Sequence, residues 1–464
     1  MTNTKPKTRL FGTDGIRGRY GEGNLTDAAV TALGCAVGRA FQARSSAASP
    51  SNSPEAKRVP RALVGHDGRH SGPTLEAAIT RGLGAAGFEI DTAGLIPTPG
   101  LAHLGRTKDY DLAVMISASH NHAADNGIKI FGPDGDKLAD SLEDAIEEEL
   151  QRLGETPLSE ATPRHSPELE NDYLEHLLTS VELKLDGLVI VLDCANGAGS
   201  RVAPRILGRL GAQVIPIGCE PDGDNINEGC GSTHPGGLLE AVRLHGADLG
   251  IALDGDGDRC ILCDEHGSLV NGDGILTMLS QHAAAKEQLQ PKKIVATIMS
   301  NRGLHRAMHQ SDIQVVTVGV GDRRVVEALR AEDLPLGGEQ SGHIVFGADN
   351  AYIGDGTVTA LRVLRVMVES GQPLSLLAAP YVPMPQVLLN VPVASKPDLA
   401  GLTDVTRLTR EIEQELGQDG RVLLRYSGTE DLARVMVEGR DEEHILGRAR
   451  ELAALIEGQL GAPA

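Results

Sequence analysis

Leu188-Val189-Ile190-Val191-Leu192-Asp193 is followed by Asn196-Gly197-Ala198-Gly199 and, further on, by Ala212-Gln213-Val214-Ile215. This order reads as an apolar strand, a glycine-containing turn, a helix and a second apolar strand. An unbroken apolar run, as opposed to an alternating one, is what a strand covered on both faces requires. The same order occurs twice more. Residues 61–69, Arg-Ala-Leu-Val-Gly-His-Asp-Gly-Arg, lead to Gly87-Phe88-Glu89-Ile90, and Lys293-Ile294-Val295-Ala296 with Ser300-Asn301-Arg302-Gly303 leads to Gln314-Val315-Val316-Thr317-Val318. Strand, helix of roughly 12 residues and strand form the unit of a mostly parallel sheet. The fold class expected is therefore α/β: three tandem related domains with mixed, mostly parallel sheets.

The segments between these units mark the limits. Residues 45–60, rich in Ser, Ala and Pro, read as a surface insertion within the first domain. Polar residues 155–165 precede Ser166-Pro167, read as an N-cap followed by proline, which opens a helix carrying Leu169, Tyr173, Leu174, Leu177 and Leu178. A second boundary is expected at the polar turn of residues 264–267. Beyond residues 380–385 come a strand, an amphipathic helix with Val405, Leu408, Ile412 and Leu416 stopped by Gly417, two strands around residues 426–431, and a last helix. The expected domains are 1–165, 166–266, 267–380 and a smaller α+β domain at 381–464.

Composition narrows the function. The chain has 464 residues, 41% of them hydrophobic, with no Trp, 5 Phe and 6 Tyr, so its cores must be built from Ala, Val, Leu and Ile. A net charge of -21 argues against nucleic acid as a partner, since that recognition rests on clustered cations; an anionic substrate needs a local basic pocket. The 6 cysteines are sparse and unevenly spaced, unlike a disulfide framework, and Cys260 and Cys263 lie in a strand-like run and not at a helix start. Neither a signal segment nor a membrane span is evident, and a cytoplasmic location is expected.

Five short segments carry chemistry. Residues 116–121, Ile-Ser-Ala-Ser-His-Asn, follow the apolar run 112–115 and precede Asn126-Gly127-Ile128-Lys129. A serine at a strand end beside His120 and Asn121 suits a hydroxyl that carries a phosphate and passes it on. Asp254-Gly255-Asp256-Gly257-Asp258-Arg259 follows the apolar run 249–253. Three carboxylates separated by glycines repel one another unless a hard divalent cation holds them, and few protein ligands from one loop is how Mg²⁺ is held beside phosphate. An EF-hand loop fails at its sixth position, Arg259, and in its strand-like flanks. An aspartyl phosphatase would place a nucleophile at Asp254, a weaker role with Ser119 available. Arg425-Tyr426-Ser427-Gly428-Thr429-Glu430 has the hydroxyls, glycine N–H groups and guanidinium of a phosphate cradle. In residues 337–343, Gly-Gly-Glu-Gln-Ser-Gly-His, Glu339 and Ser341 could hold sugar hydroxyls and His343 could move a proton. In residues 11–18, Phe-Gly-Thr-Asp-Gly-Ile-Arg-Gly, Arg17 could reach a phosphate.

In this order, these segments resemble the start segment, phosphoserine loop, metal loop, sugar-specificity loop and phosphate loop of the α-D-phosphohexomutase superfamily, along essentially the whole chain. The Gly-Glu-Gln-Ser-Gly-His sugar loop, with Asn227-Glu228-Gly229-Cys230-Gly231-Ser232-Thr233, is most similar to bacterial members acting on glucosamine phosphates. The resemblance implies four domains around a central cleft and a phosphorylated Ser119 that passes its phosphate to a hexosamine phosphate through a sugar bisphosphate. It implies Mg²⁺ held by Ser119, Asp254, Asp256 and Asp258, with Arg17, Lys129 and Arg259 stabilising the moving phosphoryl. Glu339 and Ser341 would grip the sugar, and Arg425, Ser427, Gly428 and Thr429 the other phosphate. Lys129 and His343 both stand as proton carriers. The product would feed amino-sugar nucleotide and cell-wall precursor synthesis, with no membrane partner and a monomer or homodimer as the assembly. Two departures stand out: His122 and Asp431 occupy positions where the superfamily usually has proline, and Asp431 adds a negative charge beside the phosphate loop. A glucose or mannose phosphate mutase is the same-class rival, and a catalytically silent sugar-phosphate-binding regulator the different-class one.

Overall fold

The computed structural model describes residues 9–12, 14–48, 58–154, 162–427 and 431–461. The chain forms two compact units, one of residues up to Met299 together with Gln314–Ala379, the other of Ser300–Ile313 together with the residues from Pro380 onward. The first unit contains three sheets. In the first, the order is Ile16–Arg19, Asp125–Phe131, Leu112–Ile116, Arg61–His66, Glu89–Leu95, Arg164–His165. The last four are parallel; Asp125–Phe131 joins them antiparallel beside Leu112–Ile116, and Ile16–Arg19 pairs antiparallel with Asp125–Phe131 at the edge. The second sheet pairs Val189–Asp193 in parallel with Gln213–Ile217 and Leu249–Leu253, then adds Cys260–Asp264 and Leu269–Val270 antiparallel. The third pairs Lys293–Thr297 in parallel with Gln314–Val318 and Leu336–Gly338, with Ile344–Phe346 antiparallel at its edge. The apolar runs are buried as expected: every residue of Leu112–Ile116 and of Leu249–Leu253 is buried.

This repetition matters because loops at the carboxyl ends of parallel strands are where α/β sheets place ligands. Leu112–Ile116 ends at Ser117, Leu249–Leu253 ends at Asp254, and Arg61–His66 ends at Asp67. The second unit holds an antiparallel sheet of Gln386–Pro392, Leu432–Glu438 and Arg421–Tyr426, covered by helices Thr403–Leu416 and Glu442–Leu460. Val405, Ile412, Ile445, Leu452 and Ile456 seal its core. The helix Thr403–Leu416 stops where Gly417 takes φ 61, a left-handed conformation that glycine adopts without strain.

One local expectation needs amendment and two gain detail. Ser166 does not cap the helix Glu168–Thr179: Pro167 precedes the first helical residue, and the buried Ser166 hydroxyl has no partner among the described residues. The polar turn at 264–267 is a hairpin tip, since Leu269–Val270 returns to pair with Cys260–Asp264 and the second sheet continues through Val270. Residues 45–48 continue the helix Asp27–Ala48, as alanine favours; residues 49–57 of the expected insertion lie outside the described residues, as do residues 155–161 of the polar segment, and residues 58–60 lead without helix or strand into Arg61–His66. All 6 cysteines are free. Among the described residues no helix is long and apolar enough to cross a membrane.

One contact predicts a contribution to acid sensitivity of the fold. His103 on the helix Thr98–Thr107 and His176 on Glu168–Thr179 stack with ring centroids 3.6 Å apart. Burial, then His176, Arg106 and Lys108, hold His103 down to about 3, and burial with Arg106 holds His176 below its ordinary 6.5. Both groups are less basic folded than unfolded, so their contribution is complete above the unfolded value and is lost as pH falls below it. The urea midpoint should therefore fall between about pH 7 and pH 5, and His103→Phe, which keeps a ring without a proton, should flatten that slope. Equal slopes in both proteins would contradict this origin of the acid sensitivity.

Candidate active site

Ser119 is 2% exposed and sits at φ 52, a left-handed conformation costly for a serine. Its surroundings explain why the loop holds. Ser117 Oγ donates to Asp67 Oδ2 at 2.7 Å and accepts from the Ser119 N–H at 2.8 Å, so this hydroxyl is fully engaged inside the loop. Arg69, itself buried, pairs with Asp67 at 2.8 Å and donates to the carbonyls of Ser119, Asn121 and Asp125, each at 2.9 Å, and to that of His122. His122 thus serves through its carbonyl, which proline would equally supply, and its side chain is exposed. The hydroxyl that reaches the aspartates is that of Ser119: it donates to Asp254 Oδ2 at 2.7 Å and lies 3.3 Å from His120 Nδ1. Burial, then Arg259 and Arg17, hold His120 down to about 4, so its imidazole is neutral near pH 7.

Asp254, Asp256 and Asp258 sit at the tip of the antiparallel pair formed by Leu249–Leu253 and Cys260–Asp264. The two intervening glycines have separate reasons. Gly257 adopts φ 73, and a Cβ on Gly255 would come within 2.5 Å of the Ser119 carbonyl. All three aspartates are buried, and one ligand oxygen from each lies within 4.8 Å of the others. Burial, then Asp258 and Asp256, push Asp254 well above the ordinary carboxylate range. Asp256 is held below that range against its burial by Lys129, at 2.8 Å, and Thr98, whose Oγ1 donates at 2.5 Å. Asp256 Oδ1 and Asp258 Oδ1 are buried without a hydrogen-bond partner. Excess buried negative charge with unsatisfied oxygens fits a divalent cation with oxygen ligands.

Cations ring this triplet. Lys129 Nζ also lies 3.3 Å from Asp14 Oδ2 and 3.9 Å from Asp258 Oδ2, and these carboxylates raise its basicity although burial opposes it. Arg259 Nε lies 3.8 Å from Asp258 Oδ1 and 4.0 Å from Asp254 Oδ2 without hydrogen bonding either, and is buried without a partner. Arg17 pairs with Asp14, which also binds Lys137. His343 Nδ1 lies 3.7 Å from Asp258 Oδ1; against its burial, Asp258, Asp322 and Glu339 raise it to about 9. Glu339 is half-buried and accepts from the Gly321 N–H at 3.0 Å, while Ser341 is exposed on the same loop. A cavity of about 490 Å³ opens beside Asp258 and His343, lined also by Thr98, Phe131, Val326 and Tyr352.

The structure therefore brings Ser119, Asp254, Asp256, Asp258, Lys129, Arg17, Arg259, His343 and Glu339 into one unit, with Ser341 on the same loop as Glu339. Arg425 and Ser427 lie in the other unit; Gly428 and Thr429 lie outside the described residues. Arg425 stands directly opposite Arg434 on the paired strand, and burial with Arg434 makes it a weaker base than usual. Two facing guanidiniums favour an anion between them. Asp431 is 88% exposed and lies 3.2 Å from Lys396 Nζ, so its charge is answered by a cation that also donates to the Ser427 carbonyl. Sequence reading missed the roles of Asp14, Asp67, Arg69, Thr98 and Arg434. Alternation along the last two strands was the one available signal for Arg434; the others meet the site only through the tertiary fold.

Comparison with known proteins covers nearly the whole chain. Residues 8–156, 171–267 and 271–383 match alpha/beta/alpha domains I, II and III of phosphoglucomutase/phosphomannomutase, and 388–455 match its C-terminal domain. Phosphoglucosamine mutase of Saccharopolyspora erythraea is 47% identical over 97% of this chain and 100% of its own, and that of Rhodococcus opacus 47% over 97% and 99%. A phosphoglucomutase/phosphomannomutase family protein of Burkholderia thailandensis has the same fold, with a TM-score of 0.79 at 21% identity over 98% of both chains. N-acetylphosphoglucosamine mutase of Aspergillus fumigatus, solved with GlcNAc-6P and magnesium, gives a TM-score of 0.66 at 18% identity over 97% of this chain and 95% of its own.

If the aspartate triplet binds a divalent cation, magnesium should raise the thermal midpoint, because a ligand that binds only the folded state stabilises it, and excess EDTA should reverse the rise. Asp258→Asn should abolish most of the magnesium response. A wild-type midpoint indifferent to magnesium would contradict the metal assignment.

Proposed function

This chain belongs to the phosphoglucomutase/phosphomannomutase family, and from that membership we propose that it interconverts glucosamine 6-phosphate and glucosamine 1-phosphate through a phosphoserine at Ser119. The observation that carries the reading is the Ser119 hydroxyl, 2.7 Å from Asp254 Oδ2 and beside a carboxylate triplet ringed by Lys129 and Arg259. A silent sugar-phosphate binder would need the phosphate cradle but not this arrangement. The relatives that span the chain at 47% identity are phosphoglucosamine mutases, which favours the amino sugar over glucose and mannose.

In the forward half-reaction the bond between phosphorus and Ser119 Oγ breaks as a sugar hydroxyl oxygen bonds to phosphorus, and the hydroxyl proton passes to a base. The sugar bisphosphate so formed turns over. Its other phosphoryl then returns to Ser119 Oγ, and the leaving sugar oxygen takes up a proton. Asp254, Asp256, Asp258 and phosphorylated Ser119 would hold Mg²⁺, which when bound offsets charge on the transferring phosphoryl and lessens the pull of Asp258 on His343. Arg17, Lys129 and Arg259 stabilise the equatorial oxygens. Lys129, pinned to Asp256, works as a fixed charge, while His343, less tightly held, moves the proton. Glu339 and Ser341 grip the sugar, and Arg425, Arg434, Ser427, Gly428 and Thr429 hold the phosphate that is not reacting.

Turnover measured with glucosamine, glucose and mannose phosphates should give the highest kcat/KM with glucosamine. Glu339→Ala should lower that value at least about tenfold, roughly 1.4 kcal/mol of transition-state stabilisation. Ser119→Ala should lose nearly all activity while Ser117→Ala keeps a measurable fraction. A Ser119→Ala enzyme of ordinary rate would overturn the mechanism, and a preference for glucose or mannose phosphate would overturn the substrate.

A further inference from the structure

Asn227 lies in the second sheet's half of the site, yet its side chain ends on the phosphoserine loop. Its Nδ2 donates to the carbonyl oxygens of Ser119 and Asn121, each at 2.9 Å. These same two carbonyls accept from Arg69 at the same distance. Each oxygen thus receives two bonds, one from a guanidinium at the end of a strand in its own sheet and one from an amide belonging to the next. Asn227 is 1% exposed and takes φ 59, a conformation asparagine tolerates better than most side chains.

The segment around Asn227 is fixed to the strand that carries the metal loop. Asn227 N donates to the Ala195 carbonyl at 2.9 Å, Gly231 N to Asp193 Oδ2 at 2.7 Å, and Ser232 N to the Leu253 carbonyl at 2.9 Å, one residue before Asp254. Gly231 is required there, since a Cβ would come within 2.5 Å of Ala195 Cβ and 2.7 Å of the Leu253 carbonyl. Gly255 packs into the same junction, where a Cβ would come within 2.7 Å of Asn227 Nδ2. One side chain therefore ties the backbone on either side of His120 to the ends of Val189–Asp193 and Leu249–Leu253.

We infer that Asn227 is a positioning residue for phosphoryl transfer: its amide sets the Ser119 hydroxyl against the aspartate loop across the junction of the two sheets. The inference rests on the mutase reading above. Transfer in line demands that the serine oxygen hold its place both as the phosphoryl leaves and as it returns, and misplacement by a fraction of an ångström slows chemistry without weakening sugar binding. The expected signature is a fall in kcat with KM preserved.

Asn227→Gly separates this role from a turn-forming one. Glycine adopts φ 59 without strain, so the turn survives while the amide is lost. With glucosamine phosphate as substrate, kcat should fall at least about tenfold while KM stays within about threefold, and the phosphate found on Ser119 by mass should be undiminished. Asn227→Asp keeps the shape but turns acceptors toward two carbonyls, and should lose as much or more; it carries the same expectation if the glycine variant does not fold. A residue needed only for the turn would leave Asn227→Gly at full rate. A kcat within about twofold of wild type in Asn227→Gly, or in Asn227→Asp, overturns the inference while leaving the mutase reading intact. Absence of turnover in the wild-type chain with every hexose phosphate would instead overturn the mutase reading.

Discussion

Three aspartate side chains buried within 4.8 Å of one another cannot all be ionised in a protein interior unless positive charge is brought to them. Much of the first unit answers that demand. Lys129 is delivered from the antiparallel strand Asp125–Phe131, Arg259 from the residue following the triplet, and Arg17 from the strand paired with Asp125–Phe131. Thr98, at the first turn of the helix Thr98–Thr107, meets Asp256 twice, through its hydroxyl and its N–H. The acidic chain as a whole carries a charge of -21, so the site is a local island of cations on an anionic background.

The same charge arrangement holds Lys129 and His343 differently. Lys129 is locked between Asp14 and Asp256 and keeps its proton, whereas His343 touches the triplet only at 3.7 Å and sits at its rim. Arg259 is tied to the triplet by its backbone, whose N–H donates to Asp254 Oδ1 at 3.1 Å, while its side-chain Nε approaches Asp258 and Asp254 without hydrogen bonding either. Ser117 and Ser119, two apart in sequence, are separated by fold: one hydroxyl is consumed inside the loop and the other points at Asp254.

The succession of strands and helices, strand burial and the site loops at strand ends were legible in the sequence because unbroken apolar runs and glycine turns act locally. The two-strand hairpin after the metal loop was not, because Leu269–Val270 is too short to show a pattern. The charged residues of the site were legible wherever they were neighbours in sequence, as in residues 254–259. Arg69 and Arg434 were not, since their meaning lies in which carbonyls or guanidinium the fold sets against them, at separations of 50 residues for Ser119 and across a strand pair for Arg425. Asn227 stood in a segment already noted, but nothing in its neighbours discloses that its amide ends on another sheet. A substitution that looked adverse in sequence, Asp431, turned out to stand beside Lys396.

The most direct measurement follows the phosphoryl group itself. Enzyme carrying radiolabelled phosphate, mapped by peptide analysis, is mixed with unlabelled glucosamine phosphate and quenched within a single turnover. The label is predicted to start on Ser119, to pass to a glucosamine bisphosphate, and to do so at least as fast as steady-state turnover. Label that maps to another residue, stays on the protein through many turnovers, or leaves only as inorganic phosphate would contradict transfer through Ser119.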